Sequence, residues 1–356
     1  VRRVARVLAI LTLLAAASAA ADPRADAWLE GYAAAVLERD LGLTVRSLRA
    51  AQGVISLSAA DLGAADRTRV VAALRAIRGV RHVEIVEGPP PRGMANGAPP
   101  SEWQTGRLPG GTLFRPLVAD PRWPHFAASF QRYLGDRQLT DVGAVSFGET
   151  FTLFRDRAGS GAWWEVGIQA GVFAVFDLDA ASKDLVNADY FVGVPLSARY
   201  EGWSAMLRLF HQSSHLGDEF LLRTRTERVN LSYESVDLKV SYEVGDVLRL
   251  YAGGGYLFDQ EPADLDPWSI QYGLELISPW PARTARWRPI AAVDVQQREE
   301  NGWSPDVSVR AGIQLDGVLA SRNLQLLLEY FSGRSPHGQF YRDEIEYLGL
   351  GVHFHF

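Results

Sequence analysis

The sequence predicts a mainly β fold: an antiparallel transmembrane β-barrel of about 12 strands, preceded by a small α+β domain of order αββαβ. Three observations predict it. From about residue 124 onward the hydropathy alternates with period two. The alternating stretches run about 10 to 14 residues, the reach of tilted membrane strands and well beyond the ~5–6 residues usual in globular proteins. They number about twelve, an even count, as bacterial outer-membrane barrels require.

Composition sets limits on function. The 356 residues hold 36 Lys plus Arg against 42 Asp plus Glu, a net charge of −6. No basic excess exists to neutralise phosphates, which argues against nucleic acid as a partner. There is no cysteine, so disulfides, thiolate metal sites, a Cys nucleophile and a lipid anchor on Cys are excluded.

The first residues predict export. Arg2, Arg3 and Arg6 precede an apolar run over 7–17, and Ala19, Ala20 and Ala21 supply the small residues of a cleavage site before Asp22. Residues 1–21 therefore read as a signal peptide. No later segment reaches 18 consecutive apolar residues, so no transmembrane helix is expected.

Residues 22–87 have another pattern. Trp28, Leu29, Tyr32, Val36 and Leu37 recur at helical spacing up to Gly42. Short strands are expected over 43–48 and 54–57, on either side of Ala51-Gln52-Gly53. A second helix carries Val70, Val71, Leu74 and Ile77, Gly79 ends it, and a third strand covers 81–86. Gln52-Gly53-Val54-Ile55-Ser56-Leu57, Arg69-Val70 and Ile77-Arg78-Gly79-Val80-Arg81-His82-Val83 resemble a BON domain, a small periplasmic module. That resemblance implies binding of membrane lipid or an envelope partner. Residues 88–112, with six prolines and six glycines, predict an extended linker.

The barrel is expected over 113–356, with strands near 124–134, 142–155, 162–177, 188–200, 203–213, 227–243, 247–258, 268–277, 287–298, 305–315, 323–332 and 343–356. In the last, Leu348, Leu350, Val352, Phe354 and Phe356 share one face, and Tyr347, Gly349, Gly351, His353 and His355 the other. Connections alternate in length. Glu201-Gly202 and Gly245-Asp246 are tight turns, whereas 178–187, 214–226, 259–267, 299–304 and 333–342 are longer and more polar. The turn at 278–286 breaks that parity. An alternating last strand that closes on Phe356 resembles the signal read by the barrel assembly machinery, which implies that machinery as a partner. Phe114-Arg115-Pro116-Leu117-Val118-Ala119-Asp120-Pro121-Arg122, the run from Phe210 to Glu219, and Gly338-Gln339-Phe340-Tyr341-Arg342 resemble an uncharacterised family of bacterial envelope proteins, a domain of unknown function.

One constellation could carry chemistry. On the fifth strand, Leu207, Leu209, His211 and Ser213 share the lipid-facing side, while Arg208 and Gln212 face the lumen. Polar groups facing lipid are expensive. A His two residues from a Ser on one face could pair base with nucleophile. This arrangement resembles the His-x-Ser of outer-membrane phospholipase A and of barrel lipid A deacylases. The resemblance implies Ser213 as nucleophile and His211 as base, with Asn230 or Glu219 orienting the imidazole and calcium as a possible cofactor. The alternative is that His211 merely sits at the headgroup interface. His353 and His355 look into the lumen with no third metal ligand evident, so no metal is expected. Arg208, Arg249, Glu275, Asp294, Arg310 and Glu329 mix both signs inside the barrel and imply no ion-selective pore. Gly253-Gly254-Gly255 lies within a strand and is no phosphate loop.

Two readings stand. One is a non-enzymatic outer-membrane envelope protein whose periplasmic domain binds lipid or a partner. The other is an outer-membrane lipid hydrolase using Ser213 and His211.

Overall fold

The computed structural model describes residues 23–356 apart from 44, 46–47, 52, 63–65, 87–102, 136–137, 281–286, 320–321 and 356. The expected signal peptide, residues 88–102 of the expected linker and Phe356 lie outside the described residues. The chain divides into two units, 1–92 and 93–356.

The first unit runs α1 (Pro23–Leu41), β1 (Arg49–Ala51), β2 (Val54–Ser58), α2 (Ala59–Leu62), α3 (Arg67–Arg75) and β3 (His82–Val86). Central β2 is antiparallel to β1 and parallel to β3. A parallel pair needs a crossover, which α2 and α3 provide. Leu29, Ala33, Val36 and Leu37 recur at helical spacing and pack with Ile55, Leu57, Val70 and Leu74. The side chain of Asp66 caps α3 by accepting from Thr68 N. Gly53 holds φ +78°, and a Cβ there would meet Gly79 O at 2.7 Å, so the turn into β2 requires glycine.

Two expectations need correction. A first strand falls at Arg49–Ala51; of the expected 43–48, Leu43 still belongs to the end of α1, where Gly42 N and Leu43 N bond Glu38 O and Leu37 O, and residues 44, 46 and 47 lie outside the described residues. Trp28 and Tyr32 do not join the core. They stack on each other at 5.1 Å and remain 58% and 47% exposed.

In the second unit a two-residue β4 (Gly106–Arg107) precedes twelve long strands. These are β5 (Phe126–Tyr133), β6 (Asp141–Arg157), β7 (Trp163–Asp177), β8 (Leu185–Tyr200), β9 (Trp203–Leu216), β10 (Ser232–Val244), β11 (Leu248–Glu261), β12 (Trp268–Ile277), β13 (Trp287–Arg298), β14 (Pro305–Leu319), β15 (Arg322–Arg334) and β16 (Glu344–His355). Each pairs antiparallel with its sequence neighbour, and β16 pairs with β5, which closes the barrel and removes every free edge from the twelve. Helix α4 (Asp218–Thr224) lies in the connection from β9 to β10.

The connections sort by end. At one end they are 158–162, 201–202, 245–247, 278–286 and 320–321. At the other they are 134–140, 178–184, 217–231, 262–267, 299–304 and 335–343. The start of β5 and the end of β16 lie at the short-turn end. On the outer face, Leu207 and Leu209 of β9, Leu238 of β10 and Leu348 and Leu350 of β16 are exposed. Trp164, Tyr200, Trp203, Tyr242 and Trp287 ring the short-turn end, and Tyr190, Tyr256, Trp268 and Trp303 ring the long-loop end.

Alternate residues face inward, and there the wall is charged. Residues 103–109 lie along the wall and 110–125 pass through this lumen, so 103–112, the end of the expected linker, contact the wall. Gly106 and Arg107 extend the sheet beside Arg155 and Phe154 of β6. Thereafter the backbone is irregular, and wall side chains satisfy it. Arg155 donates to Gly110 O and Gly111 O, Arg199 to Leu113 O, Arg249 to Arg115 O and Pro116 O, and Arg310 to Val118 O. Glu165 and Glu275 accept from Leu113 N and Val118 N at 2.7 and 2.8 Å. The same residues are ion-paired: Arg155–Glu165 at 2.5 Å, Arg199–Glu243, and Arg249–Glu275 at 3.3 Å. Leu113, Phe114, Leu117 and Trp123 of this plug are buried.

Two predictions follow from this packing. Arg155→Ala strands Glu165 as a buried unpaired charge and frees two plug carbonyls, a loss of about 3–5 kcal/mol. It should lower the urea midpoint of the refolded barrel, and an unchanged midpoint would contradict the plug contacts. At the long-loop end, burial holds the imidazole of His337 down at about 4 against an ordinary 6.5. The unfolded chain then binds this proton more tightly, so stability is full above pH 6.5 and falls as the pH drops towards 4. His337→Leu should flatten the fall between those pH values in the unfolding midpoint relative to the parent protein.

Candidate functional site

Strand β9 presents two faces of different chemistry. Its register with β10 is continuous from Trp203 to Ser213, so no bulge alters the facing of His211. The inward residues Ser204, Met206, Arg208, Gln212 and Ser214 are buried. His211 and Ser213 stand on the outward face with the exposed Leu207 and Leu209. Ser213 is paired across the sheet with Tyr190, so the two polar residues lie at the level of the aromatic ring of the long-loop end.

The structure brings His211 and Ser213 onto one face but does not bring Glu219 and Asn230 to them. Glu219 is exposed in the first turn of α4, and Asn230 is exposed in the chain between α4 and β10. The partner of His211 is Glu234 of β10, whose Oε1 lies 3.0 Å from Nδ1. Glu234 is the cross-strand neighbour of His211, and both side chains are roughly two-fifths exposed. The sequence signal for it was an acidic residue on the outward parity of the following strand, legible only once the pairing register is known. Beside His211 the outer wall carries an apolar hollow of about 390 Å³, with Phe147, Phe151, Val172, Tyr190 and Val192 among its lining.

Inside the barrel, all six of the charged residues expected in the lumen are buried, in pairs or networks. Arg208 forks onto Asp237, with Nη2 to Oδ2 at 2.5 Å, and Lys239 Nζ reaches the same carboxylate at 2.6 Å. Asp294 accepts from Tyr251, Gln271 and Gln296. At the short-turn end, Glu329 bonds His353 Nε2 at 2.7 Å, His353 Nδ1 meets His125 Nε2 at 2.8 Å, and His125 stacks on His355 at 4.7 Å. The two lumen histidines thus serve a stacked, hydrogen-bonded seam between β16 and the end of the plug. Their partner His125 lies within the stretch expected as the first strand but was not singled out, because the seam exists only once β16 closes against the end of the plug.

Above the plug, towards the long-loop end, lies a cavity of about 180 Å³. Asp120 and Arg122 of the plug help to line it, together with β9, β10 and β12. Asp120 accepts from Gln271 and Gln296, and Arg122 is 2.9 Å from Asp189. The plug therefore closes the cavity below through bonds to several strands.

Comparison with solved structures finds barrels. The outer membrane phospholipase (OMPLA) dimer of Salmonella typhi, solved with bound calcium, is 12% identical, with a TM-score of 0.48 over 65% of this chain and 91% of that one. Outer membrane phospholipase A of Escherichia coli is 12% identical, with a TM-score of 0.47 over 66% and 93%. The β domain of the Bordetella autotransporter BrkA is 15% identical, with a TM-score of 0.35 over 65% and 97%. Likeness at this level carries no information about function. No curated protein sequence matches the chain. The sequence of residues 40–356 does match a family, and the chain belongs to it: "Protein of unknown function (DUF1207)".

Proposed function

We propose that this is an outer-membrane envelope protein whose barrel is a closed anchor, carrying a periplasmic α+β unit that binds lipid or a protein partner. The carrying observation is an apolar outer wall between two aromatic rings around a lumen filled by the plug and its ion pairs. An apolar outer face with polar alternate residues inside suits a bilayer, and the plug leaves no continuous path for ions. The outer membrane of a double-membrane bacterium fits the barrel closure and the predicted export signal, with the short-turn end and the N-terminal unit on the periplasmic side. The last strand, β16, is the element that barrel assembly machinery would read. The first unit runs α-β-β-α-α-β around β2, the expected αββαβ order with its second helix in two pieces, which supports the BON-like reading, and the exposed stack of Trp28 on Tyr32 is its binding feature. Exposed aromatic pairs of this kind suit a lipid headgroup region or a protein partner.

Planar-bilayer recording tests the closed anchor. The intact chain should give no steady conductance, and a variant lacking residues 113–122 should give open-channel events. Steady currents from the intact chain would refute a closed barrel.

A second reading has its own observation, the His211–Glu234 pair beside Ser213 and the apolar hollow. In it, Glu234 accepts from Nδ1–H, His211 Nε2 takes the Ser213 proton, and Oγ attacks a lipid ester whose acyl chain lies along the hollow; the ester C–O bond breaks, the leaving alkoxide takes the proton from Nε2, and water deprotonated by the same imidazole releases the fatty acid from Ser213. His211 and Ser213 are two residues apart, about 6.8 Å along the strand, within reach of side chains that converge. Glu234 takes the orienting place that Glu219 and Asn230 would have held, and calcium is an optional cofactor of this reading. Mass spectrometry of phospholipid and lipopolysaccharide incubated with the refolded protein, with and without calcium, tests it. Fatty-acid release that disappears in Ser213→Ala and falls at least about tenfold in Glu234→Gln would establish a hydrolase. Equal release by Ser213→Ala would end that assignment.

A further inference from the structure

The cavity above the plug is built from two level rows of the wall. In the outer row, Phe191, Gln212 and Tyr233 are cross-strand neighbours on β8, β9 and β10. In the deeper row, Arg208, Asp237 and Gly255 are neighbours on β9, β10 and β11. Most polar groups here already have partners. Arg208 is bonded to Asp237 and Gln169, and Asp120 to Gln271 and Gln296.

Gln212 differs. It lines the cavity, is only 6% exposed, and its side-chain amide has no hydrogen bond to the described residues. The Tyr233 hydroxyl beside it also has no partner among the described residues, although the Tyr233 ring meets Phe210 edge-on at 6.2 Å. Lys239 Nζ donates one hydrogen bond, to Asp237, and keeps two N–H groups. Neither group is walled off from the cavity, so both are free to bond a molecule that enters it.

We propose that this vestibule binds a small uncharged polyhydroxylated molecule, a mono- or disaccharide, approaching from the long-loop end. The lining carries four cations, Arg122, Arg208, Lys239 and Arg298, and four carboxylates, Asp120, Asp237, Asp266 and Glu300, so no net charge favours an ion. An amide and a phenol each both donate and accept, as sugar hydroxyls do. Phe191, Phe210 and Leu257 supply apolar surface for the C–H faces of a ring. At about 180 Å³ the cavity is smaller than the ~300 Å³ at which drug-sized pockets begin, which suits a small molecule or one ring of a larger one. Gly255 keeps the deeper row open, since a Cβ there would meet Ser269 Oγ at 2.8 Å.

The test uses the full chain refolded in lauryldimethylamine oxide, a detergent without a sugar headgroup. Saturation-transfer NMR and calorimetry are run with glucose, galactose, N-acetylglucosamine, maltose and lactose. At least one should bind with a Kd of about 1 mM or below. Gln212→Leu and Tyr233→Phe should each weaken it about tenfold while the heat-modifiable mobility of the folded barrel is kept. Tyr233→Phe removes only the hydroxyl, so the test survives if Gln212→Leu fails to fold. A binding role also predicts that Gln212→Leu leaves the urea midpoint close to the parent's, because the amide bonds none of the described residues. The proposal is overturned if no sugar of the panel binds. It is also overturned if Tyr233→Phe and Gln212→Leu bind as the parent does.

Discussion

The architecture depends on one requirement: a stretch of irregular backbone crosses the inside of a β-barrel and must have its N–H and C=O groups satisfied there. Strands satisfy themselves by pairing. Residues 110–120 do not, and the wall makes up the difference with Arg155, Arg199, Arg249 and Arg310 as donors and Glu165 and Glu275 as acceptors. Each of these side chains would be costly in isolation. Arg155 pairs with Glu165, Arg199 with Glu243 and Arg249 with Glu275, so charge is neutralised pair by pair while spare donors and acceptors reach the plug. Hydrogen bonds to charged groups are worth about 1.5–3 kcal/mol each, so together they hold a segment that has no regular structure of its own.

The same requirement explains the division of the lumen. Below, the charged pairs and the plug fill it. Above, Asp120 and Arg122 form the underside of an open vestibule. On the closed-anchor proposal the lumen is a cup rather than a pipe, its polar wall available for recognition and its outer face for the bilayer.

The outer face obeys the opposite rule. Leu, Val and aromatic side chains face outward along the strands, and the His211–Glu234 pair with Ser213 interrupts them at the aromatic ring. At that depth a histidine and a glutamate can satisfy each other across neighbouring strands, which lowers the cost of both. The pair lies at one edge of the outer face, separate from the lumen within.

The sequence by itself determined the parity of this protein. A two-residue period assigns each strand residue to one face, so Leu348 faces outward and Tyr347 inward, and Arg208 and His211 take opposite faces, without knowledge of any partner. Loop lengths likewise revealed which end carries the long connections. What the period cannot carry is which residue of the next strand lies opposite, because register depends on closure of the whole ring. Hence Glu234 rather than Glu219 or Asn230 meets His211. Nor can composition reveal that a stretch beginning in a Pro- and Gly-rich segment enters the lumen. Its extended backbone has no period of its own, and its place is decided by carboxylates and guanidinium groups contributed from six different strands. Only the closed barrel brings those groups to one axis.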